Sequence, residues 1–227
     1  MKNQLKITGL GLILTVIIFT LGSCKKDKNT VGNVKDTENI NTVNVQSQVN
    51  VLPKESLNVE ELNSLAFLRE EEKLAMDVYI TLYNKWGVKI FDNISKSENT
   101  HMSLVLSLLT KYDLADPVGA NTVGIFKNTN LQALYNQLVL EGNKSPLNAY
   151  IVGATIEDLD LFDIKMALLK IDNQDIRYVF DILAKGSRNH MRSFYKNIIN
   201  AGGTYTPQYI TKDEFKTIID SEMETGN

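Results

Sequence analysis

Residues 97–102 read Ser97-Glu98-Asn99-Thr100-His101-Met102. If this stretch is helical, Glu98 and His101 project from the same face, three residues apart, and both can reach one metal ion. The Glu-x-x-His spacing also arises by chance in many helices. In addition, Ser95 stands three residues before Glu98, so a capping box that merely begins a helix is the alternative. The motif predicts a pair of metal ligands that needs partners elsewhere in the chain.

Helical spacing of apolar residues begins near residue 57 and predicts four long helices. The first begins at Asn58, an N-cap with Glu61 three residues on, and ends at Trp86 before Gly87. The other three are predicted over residues 92–112, residues 145–170, and from residue 172 to before Gly202. Shorter helices are predicted over residues 131–140 and after Thr211, where Glu214 completes a capping box.

The lengths of the connections predict the topology. Tight links join the first helix to the second and the third to the fourth, whereas about thirty residues cross from the second to the third. This pattern predicts an all-α fold, a ferritin-like four-helix bundle with one long crossover that contains a short helix, plus a short C-terminal helix. In such bundles, metal ligands project inward from all four helices.

The first helix offers three adjacent acids at residues 70–72. Glu72 shares a stripe with Leu68, Ala75 and Tyr79, whereas Glu70 lies with Lys73 and Asp77 on a face that we expect to be in solvent. Glu72 is therefore the predicted ligand and Glu71 the second choice. Tyr79, two turns from Glu72, resembles the tyrosine that lies close to the metals in several ferritin-like proteins, and this resemblance implies a catalytic role as a hydrogen-bond or electron donor. The alternative is an ordinary interface aromatic.

The third and fourth helices supply the remaining candidates. Glu157 and Asp160 lie three residues apart and can face one interior, while Asp158 and Asp163 are expected to face solvent; the alternative is that the whole acidic run is solvated. His190, the only other histidine of the chain, lies on the fourth helix, where a ferritin-like site needs its second imidazole.

One carboxylate of the ferritin-like pattern is missing, because Ser187 stands three residues before His190. Asp160 is the predicted substitute, since two divalent cations in a buried site need about four carboxylates for neutrality. The predicted ligand set is therefore Glu72, Glu98, His101, Glu157, Asp160 and His190. Oxygen and imidazole ligands of this kind suit two iron ions, or manganese, and do not specifically favour zinc.

Residues 57–220 resemble a ferritin-like family of bacterial and archaeal proteins that is catalogued as a domain of unknown function. The resemblance implies a four-helix bundle with a dimetal centre, and it brings no established reaction. It rests on Leu68-Arg69-Glu70-Glu71-Glu72-Lys73-Leu74-Ala75, Trp86-Gly87, Ser97-Glu98 with His101-Met102, Val152-Gly153-Ala154 with Ile156-Glu157, and Gly186-Ser187-Arg188-Asn189-His190.

The N-terminus predicts export. Two lysines precede an apolar run over residues 7–21, followed by Gly22-Ser23 and Cys24, the only cysteine. This layout predicts a lipoprotein signal peptide at residues 1–23 and acylation of Cys24; the alternative is an uncleaved anchor helix. Residues 24–55 are rich in Asn, Lys, Asp and Thr and predict a flexible tether, with a short strand as the alternative around its alternating valines. The domain would then occupy residues 56–227, at the bacterial cell envelope and anchored to the membrane.

Charge and motifs exclude several function classes. The net charge is -3 and no basic stripe favours nucleic acid. No phosphate loop, dinucleotide fingerprint, nucleophile elbow or cysteine cluster is present in the sequence. Two hypotheses remain, with homo-oligomers open in both. One is a di-iron protein with oxidoreductase or iron-handling activity. The other is a structural or interaction lipoprotein, whose acids would form salt bridges to cations such as Arg188 or Arg192.

Overall fold

The structure is a computed structural model that describes residues 40–226. Within these residues it contains helices and no strand, which confirms the all-α prediction. The helices are α1 (Thr42–Val51), α2 (Val59–Trp86), α3 (Lys89–Lys111), α4 (Thr129–Gly142), α5 (Pro146–Leu168), α6 (Gln174–Asn200) and α7 (Lys212–Ile219).

Local sequence determines where α2 begins and ends. The Asn58 side chain accepts a hydrogen bond from the Glu61 N–H, and the Glu61 carboxylate accepts one from the Asn58 N–H, so the predicted capping box is present. At the other end Gly87 has a φ of 66°, a left-handed conformation that glycine adopts without steric cost. The chain then turns at once into α3.

The four long helices form two pairs. α2 and α3 are joined by residues 87–88, and α5 and α6 by residues 169–173. α2 also packs on α5, and α3 on α6, so the four helices share one interior. Residues 112–128 and α4 cross from α3 to α5, and α4 packs over both α2 and α5. The two central helices, α2 and α5, are therefore covered on more than one side.

A polar layer interrupts the apolar interior at matching positions of the helices. Along α3, Ile94 belongs to one apolar cluster and Leu104 to a second, and Glu98 and His101 lie between them. Along α6 the order is reversed, because Leu183 belongs to the second cluster and Met191 to the first. The fold thus places ionisable side chains in a layer between two apolar clusters.

The face of α2 that was expected to be in solvent is buried under the crossover. Glu70 accepts hydrogen bonds from the backbone N–H groups of residues 127–128, just before α4. Lys73 forms a buried ion pair with Asp77, and Asp77 also accepts a hydrogen bond from the Gly124 N–H. The prediction of a solvent-exposed face is wrong because the crossover covers that side of α2. Sequence periodicity does not show where the crossover lies.

The predicted tether of residues 24–55 is too long. Residues 42–51 form α1, a helix and not a strand, whose Val45 and Val49 are fully buried against α3 and α6. Valines at i and i+4 share one helix face, which explains their burial. The Lys111 ammonium donates to the Val49 carbonyl and so ties α1 to the end of α3.

The predicted signal peptide, Cys24 and the first part of the tether lie outside the described residues. Within residues 40–226, no helix combines the length and the apolar character needed to cross a membrane.

Asp158 was expected in solvent and is instead completely buried. Its carboxylate accepts hydrogen bonds from the Tyr205 hydroxyl at 2.8 Å and from the backbone N–H groups of Gln208, Tyr209 and Ile210. The segment before α7 folds back over α5, and this side chain accepts four of the hydrogen bonds that hold it there. The expectation was wrong because the covering segment is about fifty residues away in sequence, beyond the reach of helical periodicity.

We expect Asp158→Asn to lower the free energy of unfolding by about 2 kcal/mol, because the amide loses the charge and turns N–H donors toward backbone N–H groups. Urea unfolding monitored by circular dichroism measures the effect. Asp181→Asn, which makes the same change at an exposed position of α6, is the matched control and should change stability little. Equal stability of the two variants would contradict the anchoring role of Asp158.

Candidate metal centre

Glu72, Glu98 and His101 form the first cluster of potential metal ligands. Glu72 comes from α2 and the other two from successive turns of α3, and all three are buried. His101 Nδ1 lies 2.7 Å from Glu98 Oε2 and 3.2 Å from Glu72 Oε2. One donor atom from each residue lies within 4.8 Å of the others, so the three side chains could hold one ion.

Glu98, Glu157 and His190 form the second cluster. Glu157 comes from α5 and His190 from α6, and both are buried. His190 Nδ1 lies 2.9 Å from Glu98 Oε1 and 3.4 Å from Glu157 Oε2. Their donor atoms also lie within 4.8 Å of one another. The imidazole rings of the two clusters stack, with centroids 5.6 Å apart.

Glu98 belongs to both clusters. Its Oε2 faces His101 and its Oε1 faces His190, which is the arrangement of a carboxylate that bridges two sites. The capping-box alternative for Glu98 is wrong, because α3 begins at Lys89, more than two turns earlier. The structure therefore brings five predicted ligands, Glu72, Glu98, His101, Glu157 and His190, into two adjoining clusters.

The pKa values of the three glutamates in the clusters are shifted by burial and by the charges beside them. Burial raises the pKa of Glu72 to about 7, although His101 opposes the shift. Burial likewise raises the pKa of Glu157 to about 7, against the effect of His190. Burial would also raise the pKa of Glu98, but His190 and His101 beside it hold this pKa below its usual range. Without a cation, the centre therefore retains protons near neutral pH.

For His190, the neighbouring charges outweigh the effect of burial on the pKa. Burial alone would lower its pKa, but the charges of Glu98 and Glu157 raise it well above the usual range. An imidazolium here partly neutralises the acids. A metal ion at the same place would displace that proton, since only a neutral imidazole nitrogen binds metal.

Asp160 lies beside the clusters without joining either three-residue group. Its Oδ2 accepts a hydrogen bond from the Ser187 hydroxyl, and its Oδ1 has no hydrogen-bond partner among the described residues. Burial, and then the charge of Glu72, raise the pKa of Asp160 well above its usual range. Ser187, at the position where the pattern lacks a glutamate, thus contacts the predicted substitute directly. Metal ligation by Asp160 stays a prediction.

Tyr79 touches the second cluster. Its hydroxyl donates to Glu157 Oε1 at 2.5 Å, and its ring packs on Phe194 with centroids 5.2 Å apart. A Cβ at Gly153 would collide with the Phe194 ring, so the glycine permits this close packing between α5 and α6. Burial, and then Glu157, raise the pKa of Tyr79 well above its usual value, so the phenol stays protonated as a donor. It can hold the orientation of a ligand carboxylate.

Glu71 and Asp163 were not predicted as a pair. Glu71 does not belong to either cluster, and its carboxyl group lies within hydrogen-bonding reach of the half-buried Asp163. A signal for this exists in the sequence, because Glu157, Asp160 and Asp163 continue one row along α5 at steps of three residues. The row extends from the metal clusters toward the surface.

Comparison with known proteins gives the family. Residues 61–222 match the family model described as an uncharacterized protein domain, DUF2202. The chain belongs to DUF2202. This confirms the predicted resemblance to a domain of unknown function. The DUF2202 match includes all six predicted ligands and Tyr79, and begins after α1.

A relative and its solved structure support the assignment. This DUF2202 chain is 51% identical over 178 residues to the uncharacterized protein MJ0754 of Methanocaldococcus jannaschii, covering 78% of this chain and 96% of the relative. It also resembles the crystal structure of the hypothetical protein MJ0754 from Methanococcus jannaschii, with a TM-score of 0.75 and 52% identity. That similarity covers 76% of this chain and 99% of the other.

Proposed function

We propose that this DUF2202 protein is a ferritin-like dimetal carboxylate protein that binds two iron ions. The observation that carries the proposal is the sharing of Glu98, whose two oxygens face the histidines of two different clusters. The remaining ligands come from α2, α5 and α6, so all four long helices contribute. This is how dimetal centres are built in ferritin-like bundles.

The residues present fit a pair of divalent cations. Glu72, Glu98, Glu157 and Asp160 together would balance the charge of two such ions, and burying that many acids is costly without cations. Glu72 Oε1 and Asp160 Oδ1 have no hydrogen-bond partner among residues 40–226, so both have free coordination capacity. Mixed carboxylate and imidazole donors suit iron, with manganese as the second metal.

In the proposed chemistry, the protein orients the ligand carboxylates and keeps water away from the site. Iron(II), if held by the ligands of the two clusters, would supply redox chemistry toward dioxygen or peroxide. Tyr79 holds the Glu157 carboxylate, Ser187 holds Asp160, and Phe91 and Phe194 shield the Tyr79 side. The six ligands are at most 6% exposed, which favours small reactants over a bulky organic substrate. Iron handling or an oxidoreductase reaction with small oxidants is therefore the proposed activity.

The structural alternative loses its main support. A degenerate, metal-free centre was expected to engage cations such as Arg188 or Arg192. Both guanidinium groups instead bind Glu224 near the C-terminus, at 2.6 and 2.9 Å. The acids of the centre are left to be neutralised by protons, by histidine or by metal ions.

Anaerobic titration of the purified protein with iron(II) tests the proposal. We expect about two tightly bound ions per chain, with manganese(II) competing for the same sites. Bound metal is counted by elemental analysis after gel filtration. Protein that binds neither metal under reducing conditions would contradict the proposal and leave the structural alternative.

We also propose that the protein is exported and anchored in the bacterial cell envelope through an acylated Cys24. The supporting features are the signal-peptide layout of residues 1–23 and the position of the single cysteine. Radiolabelled palmitate should label the wild-type protein in its native host, whereas Cys24→Ala should accumulate as an unprocessed or soluble precursor. Equal labelling of both proteins would contradict the anchor.

A further inference from the structure

Arg188 and Asn189 belong to one of the sequence motifs that carry the family resemblance, yet they are not part of the metal clusters. Both immediately precede His190 on α6. Their side chains contact Glu224, which lies in the segment of residues 221–226 that follows α7. The outer face of α6 at this turn therefore binds a different part of the chain.

Three side chains of α6 hold Glu224 by its carboxylate and by its backbone. Arg188 donates to both carboxylate oxygens, at 2.8 and 2.6 Å, and Arg192 donates to Oε1 at 2.9 Å. The Asn189 side chain accepts from the Glu224 N–H at 2.9 Å and donates to the Glu224 carbonyl at 3.0 Å. A residue that pairs both backbone groups with one partner is extended, as in an antiparallel ladder. Arg188, Asn189 and Arg192, here named the acid clamp, thus fit a glutamate in an extended segment.

The acid clamp is held in place by contacts other than those to Glu224. Arg192 Nε donates to the Ile218 carbonyl in the last turn of α7 at 2.9 Å, and Arg192 Nη1 donates to Asn189 Oδ1 at 2.8 Å. The Arg192 side chain is only 8% exposed. Because these contacts do not require Glu224, the clamp is preorganised, and a preorganised site loses less conformational freedom when it binds a ligand.

The segment that occupies the clamp is bound mainly through one residue. Residues 221–223 and residue 225 are exposed, and the Glu224 side chain itself is about one-third exposed. The Lys185 ammonium adds a hydrogen bond to the exposed Gly226 carbonyl. Ion pairs that remain partly in solvent contribute little to stability, so Glu224 can be displaced by another carboxylate that uses the same donors.

We propose that the acid clamp is a binding site for a glutamate in an extended, acidic segment of a partner protein, and that residues 221–226 block this site within the chain. The family match at residues 61–222 includes the clamp and ends before Glu224. A partner segment displaces Glu224 and then lies on the outer face of the turn that carries His190. The clamp contains none of the predicted metal ligands, so this proposal does not depend on the proposed function.

Fluorescence anisotropy of a labelled peptide with the sequence of residues 220–227 tests the clamp in the full-length protein. Glu224→Ala removes the competing carboxylate, and a short tether presents such a competitor at a millimolar effective concentration. This variant should therefore bind the peptide about tenfold more tightly than wild type. Glu222→Ala, the same change at an exposed acid of the same segment, is the matched control and should bind as weakly as wild type. A peptide with the Glu224→Gln change should bind about tenfold more weakly than the unchanged peptide, because it loses charged hydrogen bonds.

The same assay contains the outcomes that would overturn the clamp. Equal peptide binding by wild type and Glu224→Ala, equal binding of the two peptides, or no binding at all would leave Glu224 as a fixed contact of the fold. Adding Arg188→Gln to Glu224→Ala should abolish the gain in affinity, and the helical circular dichroism spectrum should be unchanged because the Arg188 side chain is about one-third exposed. The comparison of the two peptides changes only the ligand, so it is free of any effect of a substitution on folding.

Discussion

Glu98→Ala is expected to abolish binding at both metal positions, lowering bound iron from about two ions per chain to nearly none. The reason is geometric, because one oxygen of Glu98 faces His101 and the other faces His190. No other ligand belongs to both clusters. Its loss therefore removes a donor from each position and leaves each with one carboxylate and one imidazole.

The histidine variants are the matched comparison. His101→Ala and His190→Ala each remove a donor from one cluster only, so each should lower bound iron sharply and yet retain more than Glu98→Ala. Metal is counted after anaerobic loading, and circular dichroism shows whether the helices persist. Glu98→Gln preserves the side-chain shape and should also lose bound iron. The same loss in this variant would show that the loss in Glu98→Ala does not come from misfolding. Two bound ions in Glu98→Ala would show that Glu98 does not bridge the positions.

The grouping of candidate ligands that share one helix could be predicted from the sequence. Periodicity chose Glu72 over Glu71, and the structure places Glu72 at His101 while Glu71 faces Asp163. A spacing of three residues placed Glu98 and His101 on one face in the same way. These predictions concern neighbours on one helix, where 3.6 residues per turn determine which side chains share a face.

The burial of several residues outside the candidate site depends on segments that are distant in sequence. Asp158 and Asp77 read as solvent-facing, and both are buried because the segment before α7 and the crossover cover them. The valines of α1 read as part of a tether, and they are buried because α3 and α6 offer a complementary apolar surface. Periodicity shows which residues share a face, but it does not show how many faces of a helix the remaining chain will cover.

The sharing of Glu98 is likewise a tertiary property. It depends on α3 and α6 approaching closely enough for His190 to reach the free oxygen of a carboxylate already next to His101. The contact of Ser187 with Asp160 has the same origin, across α5 and α6. The sequence indicated that Ser187 replaces a glutamate and that Asp160 compensates for the charge, but not that the two side chains meet.

The metal-free protein is expected to lose stability as the pH rises from about 5 to 8, and bound metal should remove most of this loss. Glu72 and Glu157 both have a folded-state pKa of about 7, raised from 4.5 mainly by burial. A group whose pKa is raised on folding binds protons more tightly in the folded state, so its contribution is complete below pH 4.5 and is lost as the pH passes 7. The raised pKa of His190 acts with the same sign.

The lowered pKa of Glu98 acts with the opposite sign, but outside this range. Its contribution is present above the unfolded pKa of 4.5 and is lost only as the pH falls toward its lower folded-state pKa. Between pH 5 and 8, the stability lost at Glu72, Glu157 and His190 therefore exceeds any change at Glu98. A shift from 4.5 to about 7 corresponds to about 3 kcal/mol for Glu72 alone.

Thermal unfolding of the metal-free protein at pH 5, 6.5 and 8 measures this loss, with each sample repeated in excess manganese(II). A divalent cation takes over the role of the protons at high pH, and it stabilises only the folded state. The melting temperature with metal should therefore gain most at pH 8 and least at pH 5, where protons compete for the ligands. Glu72→Gln, which cannot titrate, should flatten the pH profile of the metal-free protein. Metal-free stability that rises from pH 5 to 8 would mean that the buried acids are already neutralised by a partner other than protons or metal.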